Sequence, residues 1–360
     1  MKYGMTKKHT QMLYGIAIAM MLYHHLFCIP SRLNCNYFSV LGNIELKLAW
    51  FCRICVAVYA FITGYGLCKS SPTKMETNLF KKITQDYKFI LKHLFQFMKK
   101  YWIVFVFFVP IRMIVNPPLI TPKSFIMSLF GLDYTYNGEW WYIKKYIVLL
   151  ILFPILNACF ILLKDKKLKI IRNSVVIGIT LIVVIEVLFY RVNIIHKFIM
   201  LLWLQIVMDT YICIFIIGYI CAKFQLFELG INNKIYQKIR IIWAGIILII
   251  CIAIRVYLAD KPEYTAIDQF ITAPFVYALC IIMEKIPELF YTFGRLGKYS
   301  VYMWLTHTFY CYYCFQGFIT FSGVSTIIYL ELMIVSLLTA ILFTYIENKI
   351  NEKQWLKKES

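Results

Sequence analysis

"GIAIAMMLYHHLFCIP", residues 15–30, decides how the rest of the chain is read. From Gly15 to Tyr23 no side chain carries a charge, which suits a stretch to lipid. Two adjacent histidines follow, His24 and His25, the one side-chain type that ordinarily exchanges a proton near neutral pH. Lys7 and Lys8 precede the stretch as the charged start of a signal peptide would. No small-residue cleavage site follows the histidines, so residues 10–29 read as a retained first span.

Working outward, apolar runs at 47–68, 101–116, 142–163, 173–190, 199–222, 240–258, 266–283, 299–319 and 324–346 predict further crossings. The expected fold is all-α, a polytopic membrane bundle of about ten transmembrane helices in one domain over residues 1–360. Composition agrees. The chain is 61% hydrophobic and 16% charged, against about 45–50% and about 25% in soluble domains. With an even number of crossings both termini share a side. Segments 1–9, 69–100, 164–172, 223–240, 284–298 and 347–360 carry 27 of the 38 Lys and Arg. Loops rich in Lys and Arg resist translocation, so both termini are expected in the cytoplasm, with the chain multi-pass in the cell (inner) membrane. The net charge of +20 then reports topology and gives no reason to invoke nucleic acid.

Most of the twelve cysteines lie inside apolar runs, where a thiol behaves as a small hydrophobe; Cys35 falls in an expected outer loop. Cys52-x-x-Cys55 and Cys311-x-x-Cys314 each stand alone in a hydrophobic helix, so no metal is expected. The stretch 76–100 places Phe80, Ile83, Tyr87, Ile90, Leu94 and Met98 at helical spacing among lysines, and is expected to lie along the inner membrane face. It serves either as an anchor to anionic lipid or as a cationic patch for a cytosolic phosphate-bearing molecule.

Ionisable groups within spans are costly and mark candidate sites. His24, His25 and Arg53 fall at the outer ends of the first two spans. Glu139, with Trp140 and Trp141, precedes the fourth span on that side, and His307 lies in the ninth. For Arg112, Arg191 and Arg255 the simple reading is an arginine reaching to the headgroups. A neutral imidazole can accept a proton from a hydroxyl, so the histidines are candidates for acid–base work; a hydrogen bond between helices is the structural alternative. Glu139 either steers His25 or Arg53 or caps its helix. No Gly-x-Ser-x-Gly elbow and no phosphate loop is present.

Four stretches together resemble the membrane acyltransferase 3 family of multi-span O-acyltransferases. They are "YGIAIAMMLYHHLF" with His25 ten residues after Gly15, "RICVAVYAFITGYGL" from Arg53 through Thr63, Gly64 and Tyr65, "GEWWYIKKYIVLLILFPIL" ending at Pro154, and "LGKYSVYMWLTHTFY" with Gly297, Ser300 and His307. Their order and spacing agree from residue 10 to about residue 315, while roughly 160–290 matches in hydropathy alone. The resemblance implies transfer of an acyl group, often acetyl, from acyl-CoA to a hydroxyl of a cell-surface glycan or lipid-linked sugar. It makes His25, with His24 beside it, the catalytic candidate. Arg53, Glu139, Trp141, Ser300 and His307 become candidates for binding substrate or donor.

Two departures stand out. Tyr14 occupies the position where family members often carry Arg or Lys, and Thr63 replaces a serine. Tyr14 and His25, eleven residues apart, share a helix face. A glycan transporter or polymerase is the alternative from another class, and a noncatalytic membrane partner a third. No bound cofactor is expected; acyl-CoA, the acceptor and membrane lipids are the expected partners.

Overall fold

The computed structural model describes residues 4–72, 79–162, 209–228, 234–258 and 266–359, and its regular elements there are helices. In chain order they are α1 (Lys7–Phe27), α2 (Asn43–Cys52), α3 (Cys55–Ser70), α4 (Leu79–Val115), α5 (Pro122–Leu129), α6 (Trp141–Leu162), α7 (Thr210–Lys223), α8 (Lys234–Tyr257), α9 (Asp268–Met283), α10 (Pro287–Gly297), α11 (Ser300–Thr308), α12 (Gln316–Ile319) and α13 (Ser325–Glu359). Among the described residues, Asn43–Ser70, Gly138–Phe160, Lys238–Tyr257 and Ser325–Glu352 are long and apolar enough to cross a membrane. The spans expected at 173–190 and over the start of 199–222, the loop 164–172 and Arg191 lie outside the described residues.

Three expected segments differ in form. The second span is two helices, because the chain breaks at Arg53 and Ile54 between α2 and α3. The ninth is α11 followed by a π-helical turn over Phe309–Tyr313 and the short α12. The amphipathic stretch after residue 76 does not end before the third span: α4 runs through Lys99 and Lys100 without interruption, about 55 Å of continuous helix. Its side chains explain why it joins the bundle. Asp86 accepts hydrogen bonds from the Ser71 hydroxyl at 3.2 Å and the Asn157 amide at 3.0 Å, and the Tyr219 hydroxyl donates to Asn157 at 2.6 Å. These buried polar groups satisfy one another across α4, α6 and α7. Ile90 and Met98 of the expected stripe are buried, whereas Phe80 is 82% exposed.

Two arginines also turn inward rather than to headgroups. Arg255 is 1% exposed and forms an ion pair with buried Asp268 at 2.8 Å, joining α8 to α9. Arg112 is buried with its guanidinium 4.5 Å over the Tyr313 ring. Each finds a partner that lipid would not supply.

Helix crossings are set by glycines. A Cβ on Gly15 would sit 1.9 Å from the Phe293 carbonyl oxygen, and one on Gly297 would sit 1.8 Å from that of Gln11. The same reciprocal fit joins α3 to α7, where a Cβ on Gly64 would meet the Phe215 carbonyl at 2.0 Å and one on Gly218 that of Phe61 at 2.2 Å. Small residues let backbones meet where lipid offers no hydrophobic drive for association. The α1 and α10–α11 stretches run the same way: His9 packs on Phe290 at one end, and His25 on His307 at the other.

Candidate active site

Helix α1 starts from a capping box. The Thr6 side chain accepts from the His9 backbone, and the His9 ring accepts from the Thr6 backbone at 3.2 Å. From there Lys7, Thr10, Tyr14, Met21 and His25 recur at helical spacing and line one cavity of about 390 Å³. Thr63, Tyr59, Tyr146, Glu139, Trp141 and Ser300 add walls from α3, α6, α11 and the turn before α6. A second cavity of about 510 Å³ shares Lys7, Thr10, Tyr14, Thr63 and Tyr146 with the first, and adds Lys69 and His93. The shared walls make one passage running along α1 from the Lys7 end to His25.

Successive residues on a helix point about 100° apart, which separates the two histidines. His24 turns to α2, where its Nδ1 donates to the Ala49 carbonyl at 2.8 Å and its ring lies 6.0 Å from Trp50. His25 turns to the cavity, its ring 5.2 Å from that of His24 and 5.1 Å from that of His307. His307 is fully buried behind it. Its Nδ1 faces the carbonyls of Met303 at 3.1 Å and Trp304 at 2.8 Å, which only accept, so Nδ1 carries the hydrogen. That leaves the Nε2 lone pair, buried and without a hydrogen-bond partner among the described residues.

The His25 end of the passage is covered by an interlocked set of groups. Arg32 donates to Glu139 at 2.9 Å, and the Tyr313 hydroxyl donates to the other carboxylate oxygen at 2.7 Å. Tyr313 in turn accepts from the Gly138 amide at 3.0 Å, and Arg32 lies 3.7 Å over the Tyr312 ring. The Tyr312 hydroxyl donates to the His25 carbonyl, and Gln316 donates to the carbonyls of Arg32 and Cys311. Burial works against the charge on Arg32; Tyr312, Glu139 and Tyr313 beside it outweigh this and raise its pKa.

Of the residues singled out in the sequence, His25, Glu139, Trp141 and Ser300 line the cavity together. His307 stands behind His25, and Ser300 donates to the Gly297 carbonyl at 3.0 Å. Arg53 falls in the break between α2 and α3 and is not among the cavity's lining residues; it acts electrostatically on His24, Tyr211 and Asp268. Tyr14 does line the passage, its ring against Tyr59. Arg32, Tyr312, Tyr313 and Lys298 were not anticipated. Lys7 carried a signal that could have been used, since it sits two turns before Tyr14 on the same helix face.

No curated protein and no solved structure matches the chain. The sequence model of the acyltransferase 3 family, described as an acyltransferase domain, matches residues 13–345, a range that takes in every group lining the passage from Tyr14 to Trp304. The chain therefore belongs to the acyltransferase 3 family and is a multi-pass membrane acyltransferase.

Proposed function

We propose that this protein takes an acyl group, acetyl in the simplest case, from cytosolic acyl-CoA and transfers it to a hydroxyl of a cell-surface glycan or lipid-linked sugar. In this reading it crosses the cell membrane about ten times with both termini in the cytoplasm. The observation that supports it most is the passage joining exposed Lys7 and Lys298 to His25. Lysines at the mouth meet the donor's phosphates, and the narrower interior takes the thioester arm. Lys7 then supplies the charge that Tyr14 lacks. The entrance sits at the start of α1 and the α10–α11 junction, with His93 and Phe97 the contributions of the basic stretch before residue 101.

At the other end His25 removes the proton from the acceptor hydroxyl as its oxygen bonds to the acyl carbon. The carbon–sulfur bond breaks, and the proton passes from the imidazole to the departing thiolate, leaving His25 neutral for the next cycle. Its neighbour His307, with Nδ1 fixed as a donor, packs its ring against the imidazole and presents a lone pair beside it. A transporter would call for a cationic cavity continuous from both sides, whereas the cations lining this passage, Lys7, Lys69 and Lys298, gather at one end, which favours the transferase reading.

The test compares surface glycans from cells carrying wild-type or His25→Ala protein, by mass spectrometry of ester-linked acyl groups. A loss of about 10²–10⁴-fold in transfer is expected from removing a general base. Unchanged acylation at normal protein levels would sink the assignment.

A further inference from the structure

Between the lysines at its mouth and the end formed by Glu139 and His25, the cavity is walled by hydroxyls and apolar groups rather than by charge. Thr63 and Ser300 spend their hydrogens on nearby backbone carbonyls, those of Tyr59 at 2.8 Å and Gly297 at 3.0 Å. Tyr142, in the same lining, differs. It is 7% exposed, and its hydroxyl has no hydrogen-bond partner among the described residues. Buried polar groups are nearly always paired, so such a hydroxyl on a cavity-lining side chain points to a partner that arrives with a ligand.

Tyr142 stands at a set depth in the passage. Glu139, at the His25 end, is three residues before it on the chain. Tyr146, one turn further along α6 and so about 6 Å on, belongs to the section that the two cavities share. The start of α6 is tied to the helix that carries His307. The Asn137 amide donates to the Thr308 hydroxyl at 2.7 Å, and the Trp140 indole donates to the Leu305 carbonyl at 3.1 Å. Rings close around Tyr142 itself, with the centroids of Trp141, Trp304 and Tyr211 at 5.7, 5.9 and 6.0 Å. The ring is thereby held in place before any ligand enters.

A donor whose phosphates meet Lys7 and Lys298 passes its arm through this section with the thioester toward His25. That arm carries neutral amides, and the one nearest the sulfur is separated from it by an ethylene link. Its carbonyl can accept from a phenol O–H, and no charge is needed on either side. A phosphate or carboxylate at this depth would be buried without a cation to pair with it. We propose that the Tyr142 hydroxyl hydrogen-bonds the amide next to the thioester and so sets how far the acyl carbon reaches toward His25. The proposal rests on the acyl-transfer reading and adds to it a donor-binding residue.

The experiment measures binding of radiolabelled acetyl-CoA to detergent-solubilised full-length His25→Ala protein, with and without Tyr142→Phe, which keeps the ring and removes the hydroxyl. Two small thioesters compete: S-acetyl-N-acetylcysteamine, which retains that amide, and S-pentyl thioacetate, which replaces it with methylenes. Tyr142→Phe is expected to weaken acetyl-CoA and S-acetyl-N-acetylcysteamine by about fivefold to tenfold each, and to leave S-pentyl thioacetate unchanged. A role in packing alone would weaken all three. Tyr23→Phe removes another buried hydroxyl without a partner among the described residues, on a side chain that lines neither cavity, and should change nothing. Acetyl-CoA binding unchanged by Tyr142→Phe, or an equal loss for both small thioesters, would overturn the proposal alone. Absence of acetyl-CoA binding even with Tyr142 in place would overturn acyl-CoA as the donor, and the proposal with it. The assay requires no transfer, so its outcome is separate from that of the glycan comparison.

Discussion

The two ends of the passage along α1 are built on opposite plans. At the Lys7 end, exposed Lys7 and Lys298 surround a mouth lined by hydroxyls and rings. At the His25 end, Arg32, Glu139, Tyr312, Tyr313 and Gln316 answer one another through hydrogen bonds and a stacked guanidinium. The first arrangement leaves charge available for a ligand. The second spends it on holding shape, so the histidines sit in a fixed setting.

The contrast breaks most severely at His307. His307→Phe keeps the ring and removes both nitrogens, and kcat for transfer should fall by about 10²-fold with acyl-CoA KM little changed. Steady-state kinetics in nanodiscs decides this, and an unchanged kcat would reduce His307 to packing. Next comes Glu139→Ala, which strips Arg32 and Tyr313 of a common partner. Thermal unfolding in detergent should show a loss of about 1–3 kcal/mol.

Smaller effects belong to the open end. Lys7→Ala and Lys298→Ala should each raise the KM for acyl-CoA several-fold without lowering kcat, and added salt should shrink the difference from wild type. An effect on kcat alone would place the donor elsewhere. The smallest is acid sensitivity. Thr135 and Ser128 hydrogen bonds hold the Asp133 carboxyl below its ordinary 3.8, and a hydrogen bond from His9 holds Glu284 below 4.5. Both are depressed in the fold, so their stabilisation is complete above those ordinary values and is lost as pH falls through the lower folded ones. Melting temperature measured from pH 6 to pH 3 should drop, and Asp133→Asn should flatten part of that slope.

Much of this was legible along the chain because apolar runs and one-sided polar stripes are local properties. Lys7, Thr10, Tyr14 and His25 share a helix face by spacing alone, and Gly15 and Gly297 stood out beside their histidines. What spacing could not supply was which side chains meet across elements. Arg255 looked like a headgroup arginine until Asp268, on the next helix, was placed against it. The stretch before residue 101 carried lysines suited to a membrane surface, yet buried Asp86 and its partners draw it into the bundle. The break at Arg53 likewise has no Pro or Gly to announce it, and that arginine is not among the residues lining the passage.

Gly15 and Gly297 touch backbone to backbone, and each lies ten residues before a histidine of the pair. The crossing thus works as a ruler: two arms of equal length leave a common origin in the same direction and bring His25 and His307 to a set separation. A methyl group at either glycine would lengthen the ruler at its zero mark, and the error would be read at the far end as misaligned rings. The tolerance of the candidate active site for change is therefore written partly in two glycines ten positions away from its histidines.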